Sequence, residues 1–124
     1  MAARILIAED DNENREALRL MLQYSGFACL EAADGRAALQ IALSEQPDLV
    51  LTDISLPELD GFEVVTQLRA QGFTQPIIVV SAYDDEAFQQ RARAAGANDY
   101  LTKPLEFARL KATIDALLHA IEKK

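Results

Sequence analysis

Four short strand-like runs in the chain, three of them apolar and one more polar, each end in a reactive side chain. Leu49-Val50-Leu51-Thr52 runs into Asp53, and Ile54-Ser55-Leu56-Pro57 follows at once. Ile5-Leu6-Ile7-Ala8 leads to Glu9-Asp10-Asp11, Ile77-Ile78-Val79-Val80 to Ser81-Ala82, and Asp99-Tyr100-Leu101-Thr102 to Lys103-Pro104. Carboxylates, a hydroxyl and an ammonium around one point are what phosphoryl transfer requires. Its transition state spreads charge over three equatorial oxygens, which fixed cations and donors stabilise. An aspartate oxygen can itself be the nucleophile and form an acyl phosphate. Each residue alone has an ordinary reading: Asp53 a loop cap, Ser81 a strand-end hydroxyl, Lys103 a solvated cation, Asp11 the cap of a following helix. One at each of four run ends argues against coincidence.

Continuous apolar runs this short suit strands buried on both faces, as in a parallel sheet. Asp and Pro are depleted in strand interiors, so the third strand ends at or near Asp53. Helical patterns separate the runs. The first spans about Asn12 to Ser25, with Leu18, Met21 and Leu22 at i, i+3, i+4 and Gly26 as its stop. After a second strand, Ala28 to Ala32, Asp34-Gly35 opens a helix with Ala38, Ile41 and Ala42 inward, broken by Gln46-Pro47-Asp48. Asp60 reads as the N-cap of the third helix, with Glu63 as capping-box partner and Val64, Val65 and Leu68 on its apolar face. The fourth covers about Asp85 to Ala95. The fifth carries Phe107, Leu110, Ile114, Leu117 and Ile121 on one stripe. The strand before it, Asp99 to Thr102, is short and polar, as an edge strand should be.

Five βα units in 124 residues predict one α/β domain over 1–124. The expected fold is flavodoxin-like and doubly wound, (βα)5, with a five-stranded parallel sheet in order 2-1-3-4-5 and helices on both faces. Ligands of such sheets bind outside the carboxyl ends of the strands, where the reactive residues fall. Strands one and three are then neighbours, and Glu9 and Asp10 approach Asp53. Three carboxylates within a few ångströms repel by roughly 1 kcal/mol per pair in water. A divalent cation offsets that, and all-oxygen ligation suits Mg²⁺, with Mn²⁺ a possible substitute.

The net charge of −8, from 20 acidic and 12 basic residues, argues against direct nucleic-acid binding. No apolar run approaches the roughly 20 residues of a membrane span. Met1-Ala2-Ala3-Arg4 leads straight into the first strand, so no secretion leader is expected. The single Cys29 reads as a small core residue and fits a reducing cytoplasm; His119 reads as a surface residue near Lys123 and Lys124.

Together the motifs resemble the receiver domain of two-component response regulators, over essentially the whole chain. They are Glu9-Asp10, Asp53 within Leu51-Thr52-Asp53-Ile54-Ser55-Leu56-Pro57, the Asp60-Gly61 turn, Ser81-Ala82, and Lys103-Pro104 after Asp99-Tyr100-Leu101-Thr102. The resemblance implies that Asp53 accepts a phosphoryl group from a sensor histidine kinase or histidine phosphotransfer protein. Glu9 and Asp10 would hold Mg²⁺ with Asp53 and the backbone carbonyl of Ser55. Arg15 supports this register, because similar domains often carry an arginine there; a slip of one would make the pair Asp10-Asp11. Lys103 would bind a phosphoryl oxygen, and its bond to Pro104 is cis in similar domains.

Ser81, in place of the commoner threonine, and Tyr100 resemble a switch pair. It would reshape the face formed by helix four, strand five and helix five for a downstream protein, in a monomer or a phosphorylation-dependent dimer. Ser55 and Tyr83 occupy places that tune hydrolysis, and the bulk of Tyr83 implies a longer-lived phosphoryl group. On this likeness the chain is a signalling phosphoacceptor that catalyses only its own phosphorylation and dephosphorylation.

Three rivals remain. A phosphatase of the haloacid-dehalogenase type also uses a strand-end Asp, but wants a second Asp two residues on, where this chain has Ser55. A nucleotide or flavin binder lacks its glycine-rich phosphate loop here. A phosphorylation-independent interaction domain would have no use for the intact acidic set.

Overall fold

The computed structural model of the chain describes residues 2–122, the side chains of Ile121 and Glu122 excepted. The expected stripe position of Ile121, and the nearness of Lys123 and Lys124 to His119, lie outside the described residues; His119 itself is exposed. The elements alternate as β1 (Arg4–Ala8), α1 (Asn12–Tyr24), β2 (Ala28–Ala32), α2 (Gly35–Glu45), β3 (Leu49–Asp53), α3 (Gly61–Ala70), β4 (Ile77–Ser81), α4 (Glu86–Ala95), β5 (Asp99–Thr102) and α5 (Phe107–Glu122). All strand pairs are parallel, in the expected order β2-β1-β3-β4-β5. Asp53 and Ser81 are the last residues of their strands.

Alternation along the strands divides the core in two. Ile5, Ile7, Leu49, Leu51, Ile78, Val80 and Leu101 pack with Leu22 of α1 and with Leu110 and Ile114 of α5. Leu6, Val50, Ile77, Val79 and Tyr100 pack with Ala38 and Ala42 of α2, Val64, Val65 and Leu68 of α3, and Ala92 of α4. Each central strand is thus held from both faces, which leaves its carboxyl end little freedom. The apolar stripe of α1 is narrower than the spacing implies. Leu22 is fully buried and Leu18 packs against the core, but Met21 is 39% exposed, because it lies at the edge of the line running through Leu18 and Leu22.

Three helices begin on an aspartate that accepts from a backbone amide three residues on: Asp11 from Asn14 (2.8 Å), Asp34 from Ala37 (2.7 Å) and Asp60 from Glu63 (2.9 Å). The capping box at α3 is one-sided. The exposed Glu63 carboxylate makes no return bond to the Asp60 amide among the described residues. Asp85 stands at the N-cap of α4 without a side-chain bond. The other end of α4 is fastened by Arg69, whose guanidinium donates to the carbonyls of Gly96, Phe73 and Gln75 and to Asn98 Oδ1.

Helix α3 starts hard against the backbone of Asp53. The Gly61 amide donates to the Ile54 carbonyl at 2.8 Å. A Cβ on Gly61 would fall 2.2 Å from the Asp53 carbonyl oxygen and 2.8 Å from Ile54 Cα. Only glycine admits that approach. Gly61→Ala should destabilise the fold by about 1–3 kcal/mol, as overpacking a tight contact does. A urea titration reads it, and an unchanged midpoint would contradict the close approach.

Candidate functional site

The carboxyl ends of β1, β3 and β5 converge on one ion triad. Lys103 Nζ lies 2.5 Å from Asp53 Oδ2 and 3.1 Å from Glu9 Oε1. Both carboxylates are buried, Glu9 to 4% and Asp53 to 8% exposure. The remaining oxygens are also engaged: Asp53 Oδ1 accepts from the Ser55 amide at 3.1 Å, and Glu9 Oε2 from the Asp11 amide at 3.4 Å. Burial pushes Glu9 above the ordinary carboxylate range, against the pull of Lys103. Burial alone would lower the Lys103 ammonium. The hydrogen bonds and charges of Asp53 and Glu9 overcome that, and its pKa is raised. The Lys103 amide donates to the Ser81 carbonyl (2.8 Å), and the bond to Pro104 is cis.

Asp10 stays apart from this triad. It is exposed, and its carboxylate makes no hydrogen bond among the described residues. An exposed carboxylate gains nothing by leaving water to approach two others whose shared cation is already in place. Asp11 is taken up as the cap of α1, which leaves Glu9 and Asp10 as the acids at the end of β1.

The donor chemistry at this rim suits a hard divalent cation. Glu9, Asp10, Asp53 and the Ser55 carbonyl are all oxygen donors, and Lys103 formally balances one of three negative charges. The carboxylates are not gathered as a cage: among the described residues no three His, Cys, Asp or Glu side chains lie together closely enough to hold a metal. The set therefore fits Mg²⁺ in kind and charge, with Asp10 the acid free to turn inward.

Ser81 and Tyr100 are joined through the backbone of Tyr83. The Tyr83 amide donates to Ser81 Oγ at 3.0 Å, and Tyr100 Oη donates to the Tyr83 carbonyl. The Tyr100 ring lies inward, 6% exposed. Burial pushes its phenol pKa up, partly offset by Ser81. The Tyr83 ring, 49% exposed, stacks on Phe88 of α4 with centroids 4.7 Å apart. Phe88 in turn stacks on Phe62 of α3.

Three features of the site were not read from the sequence: the Tyr83 bridge, the Gly61 approach and the bonds of Arg15. Arg15 does carry a signal. A cation near a helix N-terminus opposes the macrodipole, so such a residue should have another task. Cys29 is half-buried against the α1/α5 core, and burial raises its thiol pKa, which leaves it a poor nucleophile. No helix among the described residues is long and apolar enough to cross a membrane.

The family model for the response regulator receiver domain matches residues 5–115. Response regulator MprA of Mycolicibacterium vanbaalenii is 43% identical over 118 residues, which cover 95% of this chain and 51% of that protein. MprA of Mycobacterium ulcerans is 42% identical over the same extent. The chain thus spans about half the length of the curated relatives it matches. Among solved structures, a CheY-like receiver domain protein from Methanospirillum hungatei superposes with a TM-score of 0.93 at 28% identity, covering 99% of this chain and 98% of that one. Chemotaxis protein CheY4 of Vibrio cholerae gives 0.89 at 29% identity, covering 94% and 99%.

The raised pKa of Glu9 fixes the sign of a pH effect. A carboxyl with a folded-state pKa above its unfolded 4.5 contributes stability in full below 4.5, and that contribution is lost as pH rises through the folded-state value. In metal-free buffer Glu9→Gln should therefore match wild type near pH 4 and exceed it at pH 7. Urea midpoints at the two pH values check this; a variant less stable than wild type at pH 7 alone would contradict it.

Proposed function

The chain belongs to the response regulator receiver domain family, and on that premise we propose that Asp53 is its phosphoacceptor. An Asp53 carboxylate oxygen attacks phosphorus of a phosphohistidine in line. The O–P bond forms as the N–P bond breaks, and the imidazole nitrogen leaves with the electron pair. The observation that carries this reading is the contact of Lys103 Nζ with Asp53 Oδ2. That ammonium is already at the oxygen where phosphoryl charge would arrive, and it needs little reorganisation to bind it.

Asp53, Asp10 and the Ser55 carbonyl would hold Mg²⁺, with Glu9 beside them. Bound there, the ion supplies positive charge for the phosphoryl oxygens. Transfer of Lys103 from Asp53 to the phosphoryl group leaves Glu9 as its second anchor, which keeps the ammonium at the rim throughout. A groove of about 290 Å³ opens beside Lys103, walled by Ala17, Leu18 and Met21 of α1 and by Leu105 and Phe107. Its apolar wall suits a helical protein that presents a histidine, and the partially exposed Met21 is an adaptable contact. The donor is therefore a sensor histidine kinase or a histidine phosphotransfer protein.

The acyl phosphate brings close to two negative charges and new acceptor oxygens within reach of Ser81. Ser81 Oγ turning toward them would release the Tyr83 amide. The Tyr83 carbonyl holds Tyr100, and the Tyr83 ring holds Phe88 at the uncapped start of α4. Phosphorylation is thus read out on the face of α4, β5 and α5, as a shift between populations. The chain acts as a signalling switch that turns over no metabolite.

Incubation with phosphoramidate and Mg²⁺, followed by intact-mass measurement, tests the acceptor. Wild type should gain one phosphoryl group and Asp53→Asn none; equal labelling of the two would reject Asp53. Tyr83→Ala should shorten the phosphoryl half-life, followed by the same mass measurement after the donor is removed. An unchanged decay rate would show that Tyr83 does not shield the bond.

A further inference from the structure

We propose that Arg15 is a positioning residue for phosphorylation: it fixes the peptide that joins Glu9 to Asp10 and so aims the acids that take the divalent cation. The inference rests on the phosphoacceptor reading and concerns a residue that touches neither the phosphoryl group nor the cation. Arg15 Nη1 donates to the Glu9 carbonyl at 2.8 Å, and Nη2 donates to Asn12 Oδ1 at 2.6 Å. Nε lies 3.4 Å from Glu31 Oε1. The second Glu31 oxygen lies 3.5 Å from Arg19 Nε, so Glu31 on β2 anchors two arginines of α1. The Arg15 side chain is only 16% exposed.

The Glu9 carbonyl belongs to a planar unit whose far end is the Cα of Asp10. Holding that oxygen fixes the plane that carries the Asp10 nitrogen and Cα, and so narrows the directions in which the Asp10 side chain can depart. The near side is already fixed, because the Glu9 amide donates to the Ala32 carbonyl at 3.1 Å. Asp10 has no hydrogen bond of its own among the described residues to orient it. The held peptide is therefore the constraint on where its carboxylate can turn.

Helix stability does not account for the arrangement. A cation one turn into α1 sits at the positive end of the macrodipole, where it is unfavourable. Its guanidinium instead reaches back past the helix start to Glu9. The fork geometry spreads three contacts over three nitrogens, which a lysine ammonium on its flexible stem reproduces poorly.

The test is Mn²⁺ binding to the unphosphorylated chain, read from the free-ion electron paramagnetic resonance signal, for wild type, Arg15→Gln, Arg15→Lys and Glu31→Gln. Loss of a partner that orients a metal ligand typically weakens binding by roughly tenfold or more, and Arg15→Gln should do so. Arg15→Lys should fall between it and wild type. Glu31→Gln should shift in the same direction by less, since it only loosens the guanidinium. In phosphorylation by phosphoramidate, the Mg²⁺ concentration at half-maximal rate should rise by a similar factor, while the rate at saturating Mg²⁺ stays close to wild type. A strap that merely ties α1 to β2 would lower the urea midpoint and leave Mn²⁺ affinity unmoved. That result in Arg15→Gln, or in Arg15→Lys should the first variant not fold, overturns the inference alone. Failure of wild type itself to bind Mn²⁺ would overturn the cation-dependent reading beneath it as well.

Discussion

Two buried carboxylates share one ammonium, and the rest of the site depends on that contact. Glu9 follows β1, Asp53 ends β3, and Lys103 follows β5. Burying one charge without a partner costs several kcal/mol. The triad is tolerable because Lys103 faces both acids and the backbone amides of Ser55 and Asp11 meet the remaining oxygens. It is also off balance, since two acids face one base. On the proposed reading, the missing positive charge is what a divalent cation would supply.

That imbalance is held by the backbone. The sheet is packed from both faces, so the strand ends do not drift apart. Behind Asp53 the start of α3 presses on its carbonyl, and Thr52 Oγ1 donates to the same oxygen at 3.0 Å. Helix α4 is held less evenly. It is tied at its C-terminal end by the Arg69 bond to the Gly96 carbonyl and, just beyond, to Asn98, while its first turn lacks a side-chain cap and rests on the Tyr83–Phe88 stack. An element pinned at one end and lightly held at the other can move without disturbing the core. The lightly held end lies next to Ser81.

The architecture was legible because it follows from local rules. Runs such as Ile77-Ile78-Val79-Val80 admit little but a buried parallel strand, and aspartates at positions 11, 34 and 60 mark helix starts by a bond each can make alone. The family likeness lay in residues at strand ends, which the sequence orders without needing their coordinates. What escaped depends on distances between remote segments. Nothing local distinguishes Gly61 from a turn glycine until α3 is seen against Asp53. Spacing does not show that the Tyr83 peptide links Ser81 to Tyr100, because the Ser81 bond is local but the Tyr100 bond crosses from β5 to the loop after β4. The expected clustering of three acids also gave way to a two-acid triad, since Lys103 reaches further inward than Asp10 does.

The most direct measurement is the titration of the Lys103 ε-amine, followed by the chemical shift of its ε-carbon in wild type and in Asp53→Asn. Shared between two buried carboxylates, the amine should titrate above the ordinary lysine value of 10.5 in wild type. It should fall when Asp53 loses its charge and burial is less opposed. A Lys103 that titrates at the ordinary value and ignores Asp53→Asn would contradict the shared ammonium, and with it the account of the site.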